Sequence, residues 1–437
     1  ARAALPFRAV ARDRSAALAY ESASAVAYRY EVLPFSLLDE PADQGIFDGS
    51  EDEEVRYVRG EDGSSSDRRD PLADPDQDGC VPMRKWMVDP VPSACNSVLE
   101  IDMVPRPREE GNVPPVDYVN GGTERSAWRI RTGFDEDGGA LYATLKTLIF
   151  GNSMKPITFE RSQHDGIVME RLTSSPYVAS IYGFCATSQI VDYASGSVHD
   201  LIKEWRLGND DYATSSLERM KIGAQVAAGI ADLHTLEGDG AATSIVHNDL
   251  CCHQVIRVGD VYKINDFHLA KFLRKDAETG NTCTEEVPFC MQKIFSPEQY
   301  EGKAEGKKVF SPPTDVFGVG NILYYLLTNR WIFEGVSDVE TRLKLRGGQR
   351  SPYPDRVLNT TDPAEMALRE AIEMCWVHEP RKRPSARVVS DFLLGKLMEL
   401  DGEPAQNDRV VRVQNVPEVM EGHRYSDKDF WNNLRVH

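Results

Sequence analysis

The tightest constraint in this sequence is a pair of aspartates separated by a short β-rich stretch. His247-Asn248-Asp249-Leu250-Cys251-Cys252-His253-Gln254 is followed, twelve residues after Gln254, by Asp266-Phe267-His268. Between them lie two β-type runs, Val255–Val258 and Val261–Ile264, joined by the turn-forming dipeptide Gly259-Asp260. The pattern predicts a hairpin with Asp249 and Asp266 at its opposite ends. Two carboxylates so placed can divide their work. One orients a nucleophile and accepts its proton, and the other holds a cation.

The chain around this pair changes character along its length. Short β-type runs occur at Val116–Val119, Ala127–Thr132, Ala140–Phe150, Val178–Phe184 and Ile190–Tyr193, interrupted by a helical stretch at Ile157–Leu172. After Ser197 helical periodicity dominates, at Ser216–His234, Val316–Thr328, Pro363–Trp376 and Ala386–Leu400. A small β-rich lobe followed by a larger helical lobe predicts an α+β, bilobal fold.

With these residues in view, the chain resembles the protein kinase superfamily. The octet is similar to the catalytic loop H-R-D-L-x-x-x-N and the triplet to D-F-G. Leu145-Lys146 resembles the end of the V-A-I-K strand, and Ser296-Pro297-Glu298 resembles A-P-E. Asp315-Val316-Phe317-Gly318-Val319-Gly320 resembles the buried-aspartate helix of the large lobe. Cys375-Trp376 with Pro380-Arg381-Lys382-Arg383-Pro384 resembles a late-lobe element. Six landmarks in order cover residues 116–398, with an expected N-lobe at 116–191 and C-lobe at 192–398.

The resemblance implies phosphoryl transfer from ATP with Mg²⁺ to a protein hydroxyl. Asp249 matches the proton-accepting aspartate, Asp266 a metal ligand, and Lys146 the lysine on the α- and β-phosphates. Gln254 stands where the second metal's Asn is expected. Asp165 falls in the position of the helix carboxylate that pairs with Lys146; the competing reading is a local bond to Arg161 at i−4. Asn120 and Gly122 lie in the phosphate-covering loop, where Arg125 replaces the third glycine. Asn tolerates φ > 0, and Arg125 either reaches a phosphate or hinders backbone approach. Asp192, Tyr193 and Ala194 form the expected adenine hinge, with Val191 behind it. Met169, Ile181, His247 and Phe267 form an expected hydrophobic column, and Glu298 is expected to pair with Arg383. Thr282, Thr284 and Ser296 are hydroxyls of the expected activation segment. Asn248 replaces the Arg that receives a phosphorylated loop, so activation is expected without loop phosphorylation. Cys251 and His253 match neither the Ser/Thr nor the Tyr kinase marker. A pseudokinase scaffold is the alternative function.

Composition sets the outer bounds. The 437 residues suit two or three structural units. A net charge of −19 argues against nucleic acid as a partner. Residues 39–79 hold fifteen acidic residues against four arginines and read as a disordered tract. Within it, residues 74–79 begin like a calcium loop, the basis of a third reading as a calcium-responsive binder, but Lys85 stands where a bidentate Glu is required. Residues 1–38 are Ala, Arg and Ser-rich, residues 399–437 read as a tail, and the Pro-rich 80–115 is expected to pack on the kinase unit through Trp86, Cys95, Leu99 and Ile101. No apolar run is long enough to span a membrane. The sequence does not begin with Met, so an upstream anchor is a further expectation, with a cytoplasmic location as the default. Eight cysteines include no C-x-x-C pair. Cys80 with Cys95, or Cys283 with Cys290, are spaced to pair in an oxidising compartment; ordinary usage favours free thiols.

Overall fold

The computed structural model describes residues 80–84, 87, 95–99 and 101. Within 116–401 it describes all but 123, 135–137, 150–155, 209–213, 239, 279–294 and 302–309. All of these lie in the unit running from Arg68 to His437. The acidic tract, the calcium-like loop, Trp86, Lys85, Thr282, Thr284, Cys283 and Cys290 fall outside the described residues.

Alternating apolar residues build an antiparallel five-stranded sheet. Its strand order is Val116–Gly121, Arg125–Phe134, Ala140–Leu148, Ser188–Asp192 and Ile181–Cys185. The register sets Lys146 opposite Ala127 on one neighbour and Gln189 on the other. Ile130, Ala143, Leu145 and Ile190 are buried on one face. Across the other side runs the helix Pro156–Arg171, which buries Asp165, Val168 and Met169.

The helical lobe is centred on Ser216–His234, which packs against Pro312–Thr328, Pro363–Cys375 and Ala386–Asp401. Ser215 caps its start by accepting from the Glu218 N–H. Pro312–Thr328 is buried on all sides, as an apolar helix without a polar stripe must be. It begins four residues before the sequence pattern suggests, because Pro312 and Pro313 are pre-organised for a helix's first turn. A Cβ at Gly320 would stand 2.7 Å from Cys375 Cβ and 2.8 Å from Trp376, so only glycine lets these helices meet. Trp376 closes the contact by donating its Nε1–H to Asn321 Oδ1 at 3.0 Å.

The hairpin Val255–Val258/Val261–Ile264 forms in the expected register, with Gly259 at positive φ in its turn. Ile264 exchanges backbone bonds with Tyr177 and Ala179, which ties the hairpin to the chain entering the sheet.

The extension before residue 116 is attached at two places. Cys80–Pro82 pairs antiparallel with Arg274–Asp276. The short helix Cys95–Leu99 packs on the sheet edge, and Cys95 forms a disulfide with Cys185, ninety residues on. This corrects the Cys80–Cys95 pairing and the free-thiol expectation for Cys95 and Cys185, whereas Cys251, Cys252 and Cys375 are free thiols as expected. Spacing reveals only near partners, whereas folding brings this distant pair to a Cα separation of 4.6 Å. Val98 and Ile101 reach the small core, but Leu99 is exposed, contrary to its expected packing.

Glu298 and Arg383 form a buried bidentate pair at 2.7 and 3.2 Å, and Arg383 also donates to the carbonyls of Pro313 and Val377. Removing one partner strands the other charge. Glu298→Ala is therefore expected to cost about 3–5 kcal/mol in denaturant unfolding, and a loss below about 1 kcal/mol would contradict this account.

Candidate active site

The site forms where the hairpin ends meet the sheet and the helix Pro156–Arg171. Asp315 supplies the floor. Its carboxylate accepts the backbone N–H groups of His247 at 2.7 Å and Asn248 at 2.9 Å, and lies 2.9 Å from His234 Nε2. Asn248 adopts φ +64°, a left-handed conformation that Asn tolerates better than Arg. Its amide donates to the Leu269 carbonyl at 3.0 Å, tying the loop to the segment after Asp266.

Asp249 is steadied by Gln254, whose amide nitrogen donates to Asp249 Oδ2 at 3.3 Å. Burial raises the Asp249 carboxyl above its ordinary value, and the Asp266 charge adds to this against the pull of His247 and His268. Burial also pushes the neighbouring thiols up, Cys251 to about 11 and Cys252 to about 12. Neither is a thiolate nucleophile at neutral pH.

Asp266 takes φ +67°. Its Oδ1 lies 2.5 Å from His268 Nδ1, so the residue in the glycine position is a direct partner of the carboxylate. Burial alone would raise Asp266, but the His268 bond and the charges of Lys146 and Arg125 hold it well below its ordinary 3.8. Burial would likewise lower His268, but the bond to Asp266 and the carboxylates of Asp266 and Asp165 hold it above 6.5.

Asp165 is fully buried. It does not bond Arg161, which pairs with Glu124. One Asp165 oxygen accepts the Phe267 N–H at 2.8 Å, and the other takes Arg125 at 2.8 Å. Lys146 stands 3.9 Å from that oxygen and donates instead to Asn265 Oδ1 at 3.1 Å. Arg125 also reaches Gln189 and Ser162, so its side chain points at the helix. Sequence spacing does not show this role, because Arg125 meets an acceptor forty residues away. The contact of Lys146 with Asn265 is likewise long-range and invisible to local spacing.

The covering loop holds Asn120, whose side chain accepts the Gly121 N–H at 2.8 Å, and Gly122, which donates to the Arg125 carbonyl at 2.9 Å. Neither takes positive φ, so the turn does not use the conformational freedom expected of Asn120. At the far side, Asp192 accepts from Tyr182 at 2.5 Å, the Ser180 N–H at 2.9 Å and Lys263 at 2.8 Å. That side chain is a structural knot that ties the end of its strand to Ser180, Tyr182 and Lys263. Val191, Met169, Ile181, His247 and Phe267 are all buried, with the His247 and Phe267 rings 5.1 Å apart. Ser296 is buried and bonded to Gln299, which removes it as an accessible hydroxyl.

The donor set fits Mg²⁺. Asp266 keeps one oxygen beyond the His268 bond, and Gln254, holding Asp249 by its nitrogen, retains an amide oxygen. Hard oxygen donors of this kind are what Mg²⁺ selects.

Residues 135–393 match the protein tyrosine and serine/threonine kinase family, and the chain belongs to that family. Serine/threonine-protein kinase 12 of Arabidopsis thaliana is 24% identical over 52% of this chain and 46% of its own length. Tyrosine-protein kinase Srms of Mus musculus is 29% identical over 43% and 34% respectively. The dual specificity protein kinase shkE of Dictyostelium discoideum is 28% identical over 40% and 22%. The chain thus spans less than half the length of each of these relatives. Among the described residues no helix is long and apolar enough to cross a membrane.

The Asp266–His268 pair carries a pH signature. Asp266, held low, stabilises fully above 3.8 and loses this as pH falls through its folded value. His268, held high, stabilises fully below 6.5 and loses this as pH rises through its folded value. In Mg²⁺-free buffer, the stability gap between the wild type and His268→Ala is expected to be widest between about pH 4 and 6.5, narrowing on both sides. Denaturant midpoints across pH measure it; a gap still growing above pH 8 would contradict the pairing.

Proposed function

We propose that residues 116–398 form a catalytic unit that transfers the γ-phosphoryl group of ATP to protein Ser/Thr hydroxyls, with Tyr as the less favoured acceptor. The observation that carries this reading is the convergence of Asp249, Asp266 and Lys146 on one cleft, each held by its own backbone or side-chain partner. Phosphoryl transfer asks a protein chiefly for positioning and charge stabilisation, and this arrangement offers both.

In this reading Asp249 accepts the proton of the attacking hydroxyl. Its carboxyl, raised by burial, is a stronger proton acceptor than an ordinary aspartate. Lys146 contacts the α- and β-phosphates, and Asp165 restrains it through the shared charge of the Arg125 cluster. Asp192, Tyr193 and Ala194 hold adenine by backbone groups, and Asn120 and Gly122 cover the phosphates. Asp266 and Gln254 would hold Mg²⁺, which when bound would neutralise charge developing on the phosphoryl oxygens. His268 occupies Asp266 Oδ1, which leaves Oδ2 as the oxygen that carboxylate would offer.

The contact of Arg125 with Asp165 and the engagement of Asp266 by His268 favour one second reading, a pseudokinase that binds nucleotide or none and acts as a scaffold. The two separate in one experiment. Asp249→Asn is expected to lower phosphate incorporation about 10²–10⁴-fold while leaving ATP-Mg²⁺ binding by thermal shift intact. Asp266→Asn should lose the Mg²⁺-dependent part of that shift. Mass-spectrometric phosphosite mapping also reports the acceptor type. Wild-type protein without incorporation on itself or a peptide library would overturn the catalytic reading, and residual activity in Asp266→Asn would overturn the metal assignment.

A further inference from the structure

One cluster of chemistry-bearing side chains lies beside the cleft and has no part in the reading above. His199, on the first turn of the helix Val198–Leu207, faces Cys252 and His253 of the single helical turn Cys252–Gln254. One ligand atom from each of the three lies within 4.8 Å of the other two. His199 Nδ1 stands 3.7 Å from Cys252 Sγ. For a tetrahedral ion with metal–sulfur and metal–nitrogen bonds of about 2.3 and 2.0 Å, that edge would measure about 3.5 Å.

We propose that His199, Cys252 and His253 form a binding site for a thiophilic divalent cation of the Zn²⁺ class, with a fourth position open to water. The donor set decides the class: two imidazoles and a thiolate suit Zn²⁺ and reject Mg²⁺ and Ca²⁺, which take oxygen. The site is graded in depth, with Cys252 buried, His199 half-buried and His253 exposed, so an ion enters from the His253 side. His199 is held in place by its stack on Trp331, 5.1 Å between centroids. Only the exposed His253 ring, now stacked on His199 at 3.8 Å, has to turn. Asp200 places negative charge on both imidazoles and Asp249 adds to it at His253, against a single exposed lysine, Lys203, near His199. Binding replaces the Cys252 proton, which leaves to solvent. The ion would then fasten the loop carrying Asp249 and Gln254 to the helix that follows the hinge. This site goes beyond the phosphotransfer reading and does not depend on it.

The test is Co²⁺ titration of the chelator-stripped full chain in excess Mg²⁺, followed by Zn²⁺ competition. One Co²⁺ per chain with a thiolate-to-cobalt charge-transfer band and tetrahedral d–d bands is expected, displaced by Zn²⁺. Cys252→Ser should remove the charge-transfer band, whereas Cys251→Ser should keep it. His199→Asn and His253→Asn should each weaken binding by at least about tenfold. His253 is exposed, so its variant tests the site without disturbing the core. The proposal falls if wild-type protein shows no thiolate band, or if both histidine variants bind Co²⁺ as the wild type does.

Discussion

A single buried carboxylate sets the geometry on which the cleft depends. Asp315 accepts two consecutive backbone N–H groups, from His247 and Asn248, and lies within hydrogen-bond distance of His234. Consecutive donors aimed at one anion require a bent backbone, which Asn248 provides at positive φ. The loop is thereby anchored to the best-buried helix of the large lobe, and Asp249 inherits its position from that anchor. The hairpin then carries the same positional accuracy to Asp266, because its last residue, Ile264, is pinned by backbone bonds to Tyr177 and Ala179.

Much of this was legible in the sequence because it is local. The hairpin could be read from β-branched runs around Gly259-Asp260, and its strands fall where expected. The helix Ser216–His234 matches its apolar periodicity at both ends. Glu298 and Arg383 meet as the resemblance implies. What escaped is what depends on three-dimensional closeness. Arg125 belongs by sequence to a phosphate-covering loop, yet the pleat of its strand turns it toward Asp165, forty residues away. Cys185 gave no sign of being the partner of Cys95. Leu99 looked like an anchor, while its neighbours Val98 and Ile101 do the packing.

The substitutions around the cleft form a connected set. Where relatives of this class are expected to carry glycine, Arg125 supplies a cation and His268 an imidazole, and each contacts a carboxylate of the site. Asp165, a methylene shorter than the expected Glu, holds Lys146 in a longer ion pair at 3.9 Å and Arg125 in a closer one at 2.8 Å. The shorter acid and the added cation therefore make sense together: a buried carboxylate needs a close partner, and Arg125 provides the closer one.

The pairing of Cys80–Pro82 with Arg274–Asp276 has a further consequence for solubility. A strand with one unpaired side is a template for other chains, and proteins manage such edges by covering them or charging them. Here the cover comes from the chain's own extension, and Arg274, Lys275 and Asp276 supply the charge. A proteolytic cut after Pro82 would leave Cys95 still tethered through Cys185 but free the covering strand from the residues behind it. The Arg274–Asp276 edge would then lose that strand's cover and keep its charges as a guard against a neighbouring molecule.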